Sequence, residues 1–304
     1  MNTEGKQTFK RFFNLPLPMV GENFLYYIKL LNPYYNSVEK LDTFLGFLYE
    51  NDINEEQLMS LQSDVKSRLV DFLSPVTSSY QSTDLKTPVF KINSKNFYKS
   101  DNCNKNFISI DLKQANFQAL KIMADRVGCD NSKIISTLSS YEELLEYLEV
   151  DPFFNHSKQL RQYVFGSTNP KAQQKIQKNI VANTLKEIIN HFEIDISNVY
   201  ELNSDEIIIE YTYDDFEKDM AEFLRLNDYC SSFVFHVETF ELKQIHENHK
   251  MFYKLSPDGK KTLKNVPKHN ICEVIKYLEN KPVETVDLQF ISDGRIAEFK
   301  DTLF

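Results

Sequence analysis

Two short runs of β-branched and aromatic residues stand on either side of a long helical stretch, and this arrangement limits the folds open to the chain. Residues 107–111 (Phe-Ile-Ser-Ile-Asp) and 206–211 (Glu-Ile-Ile-Ile-Glu-Tyr) have the composition and length of buried strands. Between them, residues 113–191 place apolar side chains mainly at helical spacing. Because strands pair to satisfy their backbone groups, we expect helices inserted into a sheet.

The first quarter of the chain predicts a helical lobe. Residues 1–20 contain two prolines and are predicted to be an irregular arm. Over residues 22–73, apolar side chains recur at helical spacing in three groups, and Asn54 stands where a helix cap is expected. Residues 75–86 are rich in Ser, Thr and Pro and are predicted to be a linker.

The rest of the chain alternates between strand and helix signals. The dipeptide Asp258-Gly259 predicts a hairpin between residues 251–255 and 261–266. The overall prediction is an α+β fold with a helical N-terminal lobe (1–80), a mixed or antiparallel sheet domain (81–130 and 192–304) and a helical insertion (131–191). The other predicted strands are 88–92, 198–202, 232–243 and 283–292, and the predicted helices are 214–226 and 270–278.

Charge and composition narrow the functional classes. The net charge is -9, which argues against a chain that is basic throughout, although a local basic track can still bind nucleic acid. No segment approaches the ~18 apolar residues of a membrane span, so no membrane partner is expected. The four cysteines are far apart in the sequence: Cys103, Cys129, Cys230 and Cys272. This spacing does not support a zinc site of paired thiolates or a disulfide framework, so we expect a reduced, intracellular and cytoplasmic protein.

Acidic residues coincide with two predicted strand ends. Asp111 ends the first run directly before an amphipathic helix, which would place its carboxylate on rigid backbone at a sheet edge. Alternatively, Asp111 caps that helix. Asp205 and Glu206 stand at the tip of a predicted hairpin, just before three isoleucines. Acids in turns are commonly structural, so the sequence alone leaves both interpretations open.

A basic helical stretch lies between these acids. Residues 158–166 predict a helix that begins at Lys158, carries Arg161 and Phe165, and ends or kinks at a glycine. Cationic and aromatic side chains are suited to holding phosphates and stacking on bases, although a basic stripe is also typical of a solvated helix face. Three more lysines fall on one face of the next helix: Lys171, Lys175 and Lys178.

Together, the three motifs resemble those of the family-A DNA polymerases. The first catalytic strand of that family reads Asp-x-Ser-Gln-x-Glu, and residues 111–116 (Asp-Leu-Lys-Gln-Ala-Asn) are similar. Its fingers helix reads Lys-x-x-x-Phe-Gly-x-x-Tyr-Gly, against Arg-Gln-Tyr-Val-Phe-Gly-Ser-Thr-Asn-Pro at 161–170. Its second catalytic hairpin reads His-Asp-Glu, against Ser-Asp-Glu at 204–206. The motifs occur in the family's order, and the resemblance covers residues 105–211.

The resemblance implies a metal-dependent nucleotidyltransferase of polymerase type, with a palm-like sheet and a fingers-like insertion. Asp111 and Asp205 would hold two Mg²⁺ (or Mn²⁺) ions, with Glu206 supporting them. Arg161 would hold the triphosphate, and Phe165 would stack on the incoming base or sugar. The partners would be nucleic acid and nucleoside triphosphates. The remaining implied contacts are Gln114, Asn116 and Lys158 to the substrate, and Lys171, Lys175 and Lys178 to nucleic acid.

Several positions depart from the family pattern. Asn116 stands where the family has the Glu that excludes the 2′-hydroxyl, so sugar selection is expected to differ. Asn169 and Pro170 replace a Tyr-Gly pair, and the segment from Phe165 to Ser204 is short for the family. The resemblance thus implies a compact enzyme of viral or phage type, whose missing regions a protein partner would supply. A non-catalytic palm-like subunit and a metal-dependent nuclease are the open alternatives.

Two further clusters carry weaker signals. His246 and His249 stand three apart near Glu238 and Glu241, but a solvated strand end is a more common reason for such a group than zinc. The 254–268 hairpin is basic, which suits either a grip on a nucleic-acid backbone or a charged edge that resists aggregation. Its lysines are Lys254, Lys260, Lys261, Lys264 and Lys268.

Overall fold

An antiparallel sheet of six strands carries the candidate acids, in a computed structural model that describes residues 1–81, 85–92, 97–211 and 215–304. The order across the sheet is β2-β3-β1-β4-β5-β6, and a separate ribbon pairs β7 with β8. The strands are β1 (Asn106–Leu112), β2 (Val199–Leu202), β3 (Glu206–Glu210), β4 (Phe235–Gln244), β5 (Phe252–Leu255), β6 (Lys261–Lys264), β7 (Gln289–Ser292) and β8 (Arg295–Glu298).

Eleven α-helices lie within these described ranges, so the predicted α+β class is confirmed. The N-terminal lobe is helical as predicted, with four helices rather than three. None of the described helices is long and apolar enough to cross a membrane. The helices are α1 (Thr3–Phe12), α2 (Phe24–Tyr35), α3 (Ser37–Glu50), α4 (Glu55–Ser79), α5 (Ala115–Asp125), α6 (Asp130–Thr137), α7 (Tyr141–Tyr147), α8 (Lys158–Gly166), α9 (Pro170–Phe192), α10 (Phe216–Leu226) and α11 (Ile271–Leu278).

The two faces of the sheet differ because side chains alternate along each strand. On one face, Ile110 of β1 and Ile207 and Ile209 of β3 are buried in the main core with the helices. A one-residue slip of β3 would instead turn Glu206 and Glu210 into that core. Burying unpaired carboxylates costs several kcal/mol, so the isoleucine run fixes the register and thereby decides which face carries the acids.

One continuous hydrophobic core connects the N-terminal lobe to the sheet. It contains Phe9 of α1, Leu120 of α5, Ile176 of α9 and Ile271 of α11, all of them at most 1% exposed. The helices between β1 and β2 are therefore anchored to the same core as the strands, and they hold a fixed position relative to the strand ends.

The expectation of an irregular N-terminal arm over residues 1–20 is wrong. Helix α1 begins after Asn2, whose side-chain oxygen accepts a hydrogen bond from the backbone N–H of Gly5 at 2.8 Å. Phe9 and Phe12 of this helix are buried in the core. The two prolines that suggested an irregular segment lie beyond the end of the helix.

The predicted linker over residues 75–86 is wrong in its first part, because α4 continues to Ser79. Pro75 inside the helix removes one backbone hydrogen bond, at a cost of about 3 kcal/mol. Leu73 and Val76 beside it are fully buried, and each contributes roughly 2 kcal/mol, which offsets that loss. Residues 82–84 of the predicted linker lie outside the described residues.

The expected strand at residues 88–92 is absent, since the described stretch 85–92 contains neither helix nor strand. Phe90 and Ile92 pack against the core from irregular backbone. The strand predicted over 283–292 is limited to its last four residues, because residues 285–288 form a 3₁₀ turn. The helix predicted to begin at Asp214 begins at Phe216, and Asp214 itself lies outside the described part of the chain.

The cap of α4 provides a test of the helical lobe. Asn54 accepts a hydrogen bond from the backbone N–H of Gln57, and the Gln57 side chain accepts one from the backbone N–H of Asn54. We expect Asn54→Ala to lower the free energy of unfolding by about 1 kcal/mol in urea titrations. Asn23 occupies the same position before α2 but makes no cap bond. The matched variant Asn23→Ala should lower the free energy of unfolding by only a few tenths of the loss in Asn54→Ala. Equal losses in the two variants would contradict the role of Asn54 as a helix cap.

Candidate functional site

Three acidic residues from two separate segments meet where β1 ends and β3 begins, at one end of these inner strands. In the antiparallel register, Asp111 of β1 pairs directly with Glu206 of β3. The backbone N–H of Leu112 donates to the carbonyl of Asp205 at 2.7 Å, which fixes the β2–β3 turn beside the end of β1. Helix α5 begins at Ala115, so Asp111 is not its cap. The structure thus brings together the three acids that the sequence singled out.

Asp111 and Glu206 lie on the face of the sheet opposite the main core, because they alternate with the buried Ile110 and Ile207, while Asp205 lies in the β2–β3 turn beside them. Residues on this face are mainly apolar towards one end of the strands and charged towards the other, apart from the Lys105–Glu210 ion pair at the apolar end. At the charged end, Asp205 and His236 are exposed to solvent and Asp111 is half-buried. The apolar end is a buried cluster that includes Phe97, Phe107, Ile208, Phe240, Leu242 and Phe252.

A buried lysine bridges two of the carboxylates on this face. The Lys254 side chain is only 4% exposed, and its Nζ lies 3.2 Å from Glu206 Oε1 and 2.8 Å from Glu238 Oε1. Its stem lies along the sheet with Nζ 4.3 Å from the ring centroid of Phe240. Ser109 Oγ also donates a hydrogen bond to Glu206 Oε1 at 2.6 Å. Glu206 is therefore held in place by two donors.

Asp111 lies in a different electrostatic environment. Burial raises the pKa of the Asp111 carboxyl above its usual value, and the negative charges of Asp205 and Glu206 raise it further. His236 and Lys254 act in the opposite direction without cancelling the effect. Among the described residues, none donates a hydrogen bond to the Asp111 carboxylate. A cation placed between Asp111 and Asp205 would relieve this repulsion.

The donor set suits a hard divalent cation. Within the described ranges, no group of three or more His, Cys, Asp and Glu side chains is arranged to hold a metal by itself. Mg²⁺, however, is usually held by one or two carboxylates together with water and substrate phosphates. Asp111 and Asp205 supply such a pair, while Glu206 is engaged by Ser109 and Lys254.

Sequence reasoning missed the partners of these acids on the neighbouring strands. Glu238 lies on β4, and its carboxylate is also 4.0 Å from His236 Nε2. Burial alone would raise the pKa of Glu238, but the charge and hydrogen bond of Lys254 outweigh it and hold the pKa below its usual value. The alternation of His236, Glu238 and Phe240 along one strand face was the available signal, but it does not reveal which strand lies next to β1.

A cleft of about 370 Å³ lies among α5, α8 and α9, mainly in the predicted fingers segment, and reaches Ser204 in the β2–β3 turn. None of the three acids lines it. It brings Asn116 of α5, Phe165 of α8 and Lys171 of α9 next to Ser204, the residue before Asp205. Three of the segments that the sequence singled out therefore border one cavity.

Phe165 and Arg161 both pack near Tyr141. Phe165 is 2% exposed, with its ring centroid 5.8 Å from that of Tyr141, so it contributes to the wall of the cleft rather than projecting into it. The Arg161 guanidinium carbon lies 5.8 Å from the Tyr141 ring centroid, in a cation–π contact. Arg161 does not line the cleft among the described residues, so contact with a triphosphate there requires another side-chain conformation.

The two polar residues after Asp111 connect the strand end to the helices. Gln114 Oε1 accepts a hydrogen bond from the backbone N–H of Tyr141 at 2.8 Å, and its amide donates to Glu142 at 2.6 Å. Asn116 Oδ1 accepts one from Gln177 of α9 at 2.6 Å. Both residues therefore hold the helices against the end of β1, and Asn116 also lines the cleft.

The predicted basic residues are exposed but spread over the surface. Lys158 lies at the start of α8, and α9 carries its three lysines on the side away from its buried isoleucines. Of these four residues, Lys171 alone borders the 370 Å³ cleft in the described chain, and Lys175 and Lys178 lie further along α9.

The two weaker sequence clusters have other roles. Lys254 is enclosed between Glu206 and Glu238, so it is not available to grip a nucleic-acid backbone. The ring of His249 lies 3.1 Å from the carbonyl of Leu303, and His246 and His249 both pack beside Phe304. The histidine pair therefore contacts the C-terminal segment.

The buried ion pairs of Lys254 predict a large loss of stability in Lys254→Met. This variant keeps the apolar stem but leaves Glu206 and Glu238 without a counter-ion, so we expect the free energy of unfolding to fall by about 2–3 kcal/mol in urea titrations. Lys243 pairs with Glu241 on the opposite face of β4 in a more exposed setting. Lys243→Met should cost about 0.2–1 kcal/mol. Similar losses in both variants would contradict the role of Lys254.

Asp111→Asn should stabilise the protein in EDTA at neutral pH. Because folding raises the pKa of Asp111, the folded state binds a proton more readily, and stability falls as pH rises from the usual value of 3.8 through the raised pKa. We expect the melting temperature to rise by about 1–3 °C at pH 7.5, with a gain that shrinks towards pH 4.

Asp195 serves as the control for this pH dependence. Hydrogen bonds from the backbone and side chain of Ser197 hold the pKa of Asp195 below its usual value. Asp195→Asn should therefore show no stabilisation at pH 7.5. A melting temperature of Asp111→Asn at or below that of the unmodified protein at pH 7.5 would refute the repulsion at the strand ends.

Comparison with models of protein families, with curated proteins and with solved structures found no match for this chain. The resemblance of the three motifs to those of family-A polymerases therefore stays a prediction. The interpretation of the site depends on its own residues, which are two mutually repelling carboxylates and a cleft that reaches Ser204, the residue before Asp205.

Proposed function

We propose that this protein is a metal-dependent nucleotidyltransferase of polymerase type that adds nucleotides to a nucleic-acid 3′ end. The observation that carries the proposal is the meeting of Asp111 and Asp205, from two segments far apart in the chain, at a turn whose Ser204 borders the cleft of α8 and α9. In this proposal, the sheet domain (81–130 and 192–304) corresponds to the palm, and residues 131–191 correspond to the fingers.

Asp111 and Asp205 are the proposed ligands of Mg²⁺ or Mn²⁺. When bound, the metal would activate the attacking hydroxyl and neutralise charge on the phosphates. The repulsion that raises the pKa of Asp111 supports this role, because a bound cation would remove it. Glu206 has the supporting role, since Ser109 and Lys254 hold its carboxylate at the strand ends.

The cleft that reaches Ser204 is the proposed nucleotide site. Its volume of about 370 Å³ falls in the range typical of small-molecule pockets. Lys171 at its border offers a cation to a phosphate, and Asn116 offers an amide to a sugar or base. Phe165 would support the site from behind by packing. Gln114 would position the strand end, while Arg161 and Lys158 would reach the triphosphate from α8.

The proposed partners are a primer, with or without a template, and nucleoside triphosphates. Lys175 and Lys178 of α9 would extend the nucleic-acid surface beyond Lys171. A protein partner would complete the regions that the short fingers-like segment lacks. A nuclease using the same carboxylates and a non-catalytic palm-like subunit are the competing functions, and a single assay separates them.

A labelled primer, with and without template, is incubated with the protein, dNTPs or NTPs, and Mg²⁺ or Mn²⁺. We expect extension by the unmodified protein and a loss of at least about 100-fold in Asp111→Asn and in Asp205→Asn, since each removes a metal ligand. Glu210→Gln is the matched control, because Glu210 lies on the same strand and face as Glu206 but at the opposite end, paired with Lys105. It should retain activity.

Other outcomes of this assay reject the proposal. Metal-dependent shortening of the primer that disappears in Asp111→Asn would identify a nuclease. Binding of the primer with no change in its length would favour a non-catalytic subunit. Extension that survives both aspartate substitutions would place the catalytic centre elsewhere.

A further inference from the structure

A groove on another side of α8 is separate from the acidic site. One part, of about 290 Å³, is lined by Lys10, Arg11, Lys268 and residues of α8. A second part, of about 280 Å³, is lined by Arg11, Lys66 and residues of α8. The parts share Arg11, Gln159 and Tyr163, so they lie next to each other along α8, and together they are called the channel below. Gln162 of α8 lines both this channel and the cleft that reaches Ser204, which places the channel next to the proposed nucleotide site.

The channel concentrates positive charge on a chain whose net charge is -9. None of its four cations forms an ion pair with a carboxylate among the described residues. Burial lowers the pKa of Lys10, and the nearby charges of Lys268 and Arg11 lower it further. The last turn of a helix favours basic residues, which accounts for Lys10 and Arg11 on α1. It does not account for Lys66 and Lys268, which other elements bring to the same channel.

An exposed aromatic ring lies at the shared part of the channel. Tyr163 is 53% exposed. Lys66 Nζ lies 5.3 Å from its ring centroid, and Gln159 donates a hydrogen bond to its hydroxyl at 3.2 Å. The ring is therefore held in position while part of its surface remains open to a ligand.

From this combination we infer that the channel binds a single strand of nucleic acid. Lys10, Arg11 and Lys268 contact phosphates, and Tyr163 stacks on a base. Stacking on a side chain requires an unpaired base, so a single strand fits where a duplex does not. The inference deepens the proposed function and rests on it for the identity of the polyanion. Because Gln162 lines both cavities, the bound strand lies next to the nucleotide cleft.

Binding of a fluorescein-labelled 12-nucleotide oligothymidylate is measured by anisotropy in EDTA, so that no catalysis is needed. For Lys10→Ala/Arg11→Ala/Lys268→Ala we expect affinity to fall at least about 10-fold at low salt. The plot of log affinity against log salt, whose slope is negative, should become less steep by about 2. Each phosphate contact on a single strand contributes about 0.7 to that slope, and three contacts are removed. Tyr163→Leu should weaken binding about 10-fold with an unchanged salt slope, because it removes stacking and no charge.

A control triple variant, Lys218→Ala/Lys250→Ala/Lys300→Ala, removes the same charge from exposed lysines that line none of the three cavities. It should change affinity less than about 3-fold. Urea titrations confirm that all variants fold. No binding by the unmodified protein, or equal losses in the two triple variants, would overturn the inference.

Competition separates nucleic acid from other polyanions, and oligoribonucleotides are compared with oligodeoxyribonucleotides in the same way. Equal displacement of the labelled strand by poly-glutamate of matched charge would show a general anion surface and overturn the assignment. Asp111→Asn should bind the oligonucleotide at least as well as the unmodified protein. If the protein binds the oligonucleotide through the channel but does not extend a primer, the proposed function is rejected and the channel assignment stands. If it extends a primer independently of the channel residues, the channel assignment is rejected and the proposed function stands.

Discussion

The charge arrangement on the open face of the sheet depends on one buried ammonium group. Lys254 Nζ contacts Glu206 and Glu238 at 3.2 and 2.8 Å, so the two carboxylate oxygens lie at most about 6 Å apart. At an effective dielectric of about 20, two like charges at that distance repel by roughly 3 kcal/mol. Lys254 offsets this repulsion between Glu206 and Glu238, although one positive charge against two negative charges leaves a net charge of -1. Its charge also lowers the pKa of Asp111, but burial and the charges of Asp205 and Glu206 outweigh it. The acids therefore separate into two glutamates bridged by Lys254 and, at the strand ends, Asp111 and Asp205 without a bridging cation.

This separation depends on the strand register. The pairing of Asp111 with Glu206 on one side and with His236 on the other follows from the isoleucines that β1 and β3 bury on the opposite face. Apolar burial on one face thus orders the charges on the other, and the acids sit on rigid backbone with little freedom to move apart. Under the proposed function, such a preformed arrangement would require less reorganisation on binding of a cation and phosphates.

Local sequence patterns predicted the parts of the site that lie on one segment each. Asp111 after an apolar run, and Asp205 before three isoleucines, could be recognised because strand alternation and turn residues are local signals. Lys254 could not, since the hairpin sequence shows a basic residue and only the β4–β5 register shows that it is enclosed by acids. The same limit explains residues 88–92, whose strand-like composition found no neighbouring strand, and α4, whose buried side chains carry it through Pro75.

The separation of the acids at the strand ends from the basic channel beside α8 would also reconcile the proposed nucleic-acid partner with a net charge of -9. Electrostatic attraction between exposed groups fades over about 8 Å at physiological salt, so a phosphate responds to the side chains nearest to it and little to the total. In the channel those are Lys10, Arg11 and Lys268; at the strand ends they are carboxylates. Under the two proposals, a strand would therefore be attracted to the channel without any metal, whereas a phosphate beside Asp111 would require a cation between them. Strand binding and metal dependence would then be separable properties of the channel and of the acidic site.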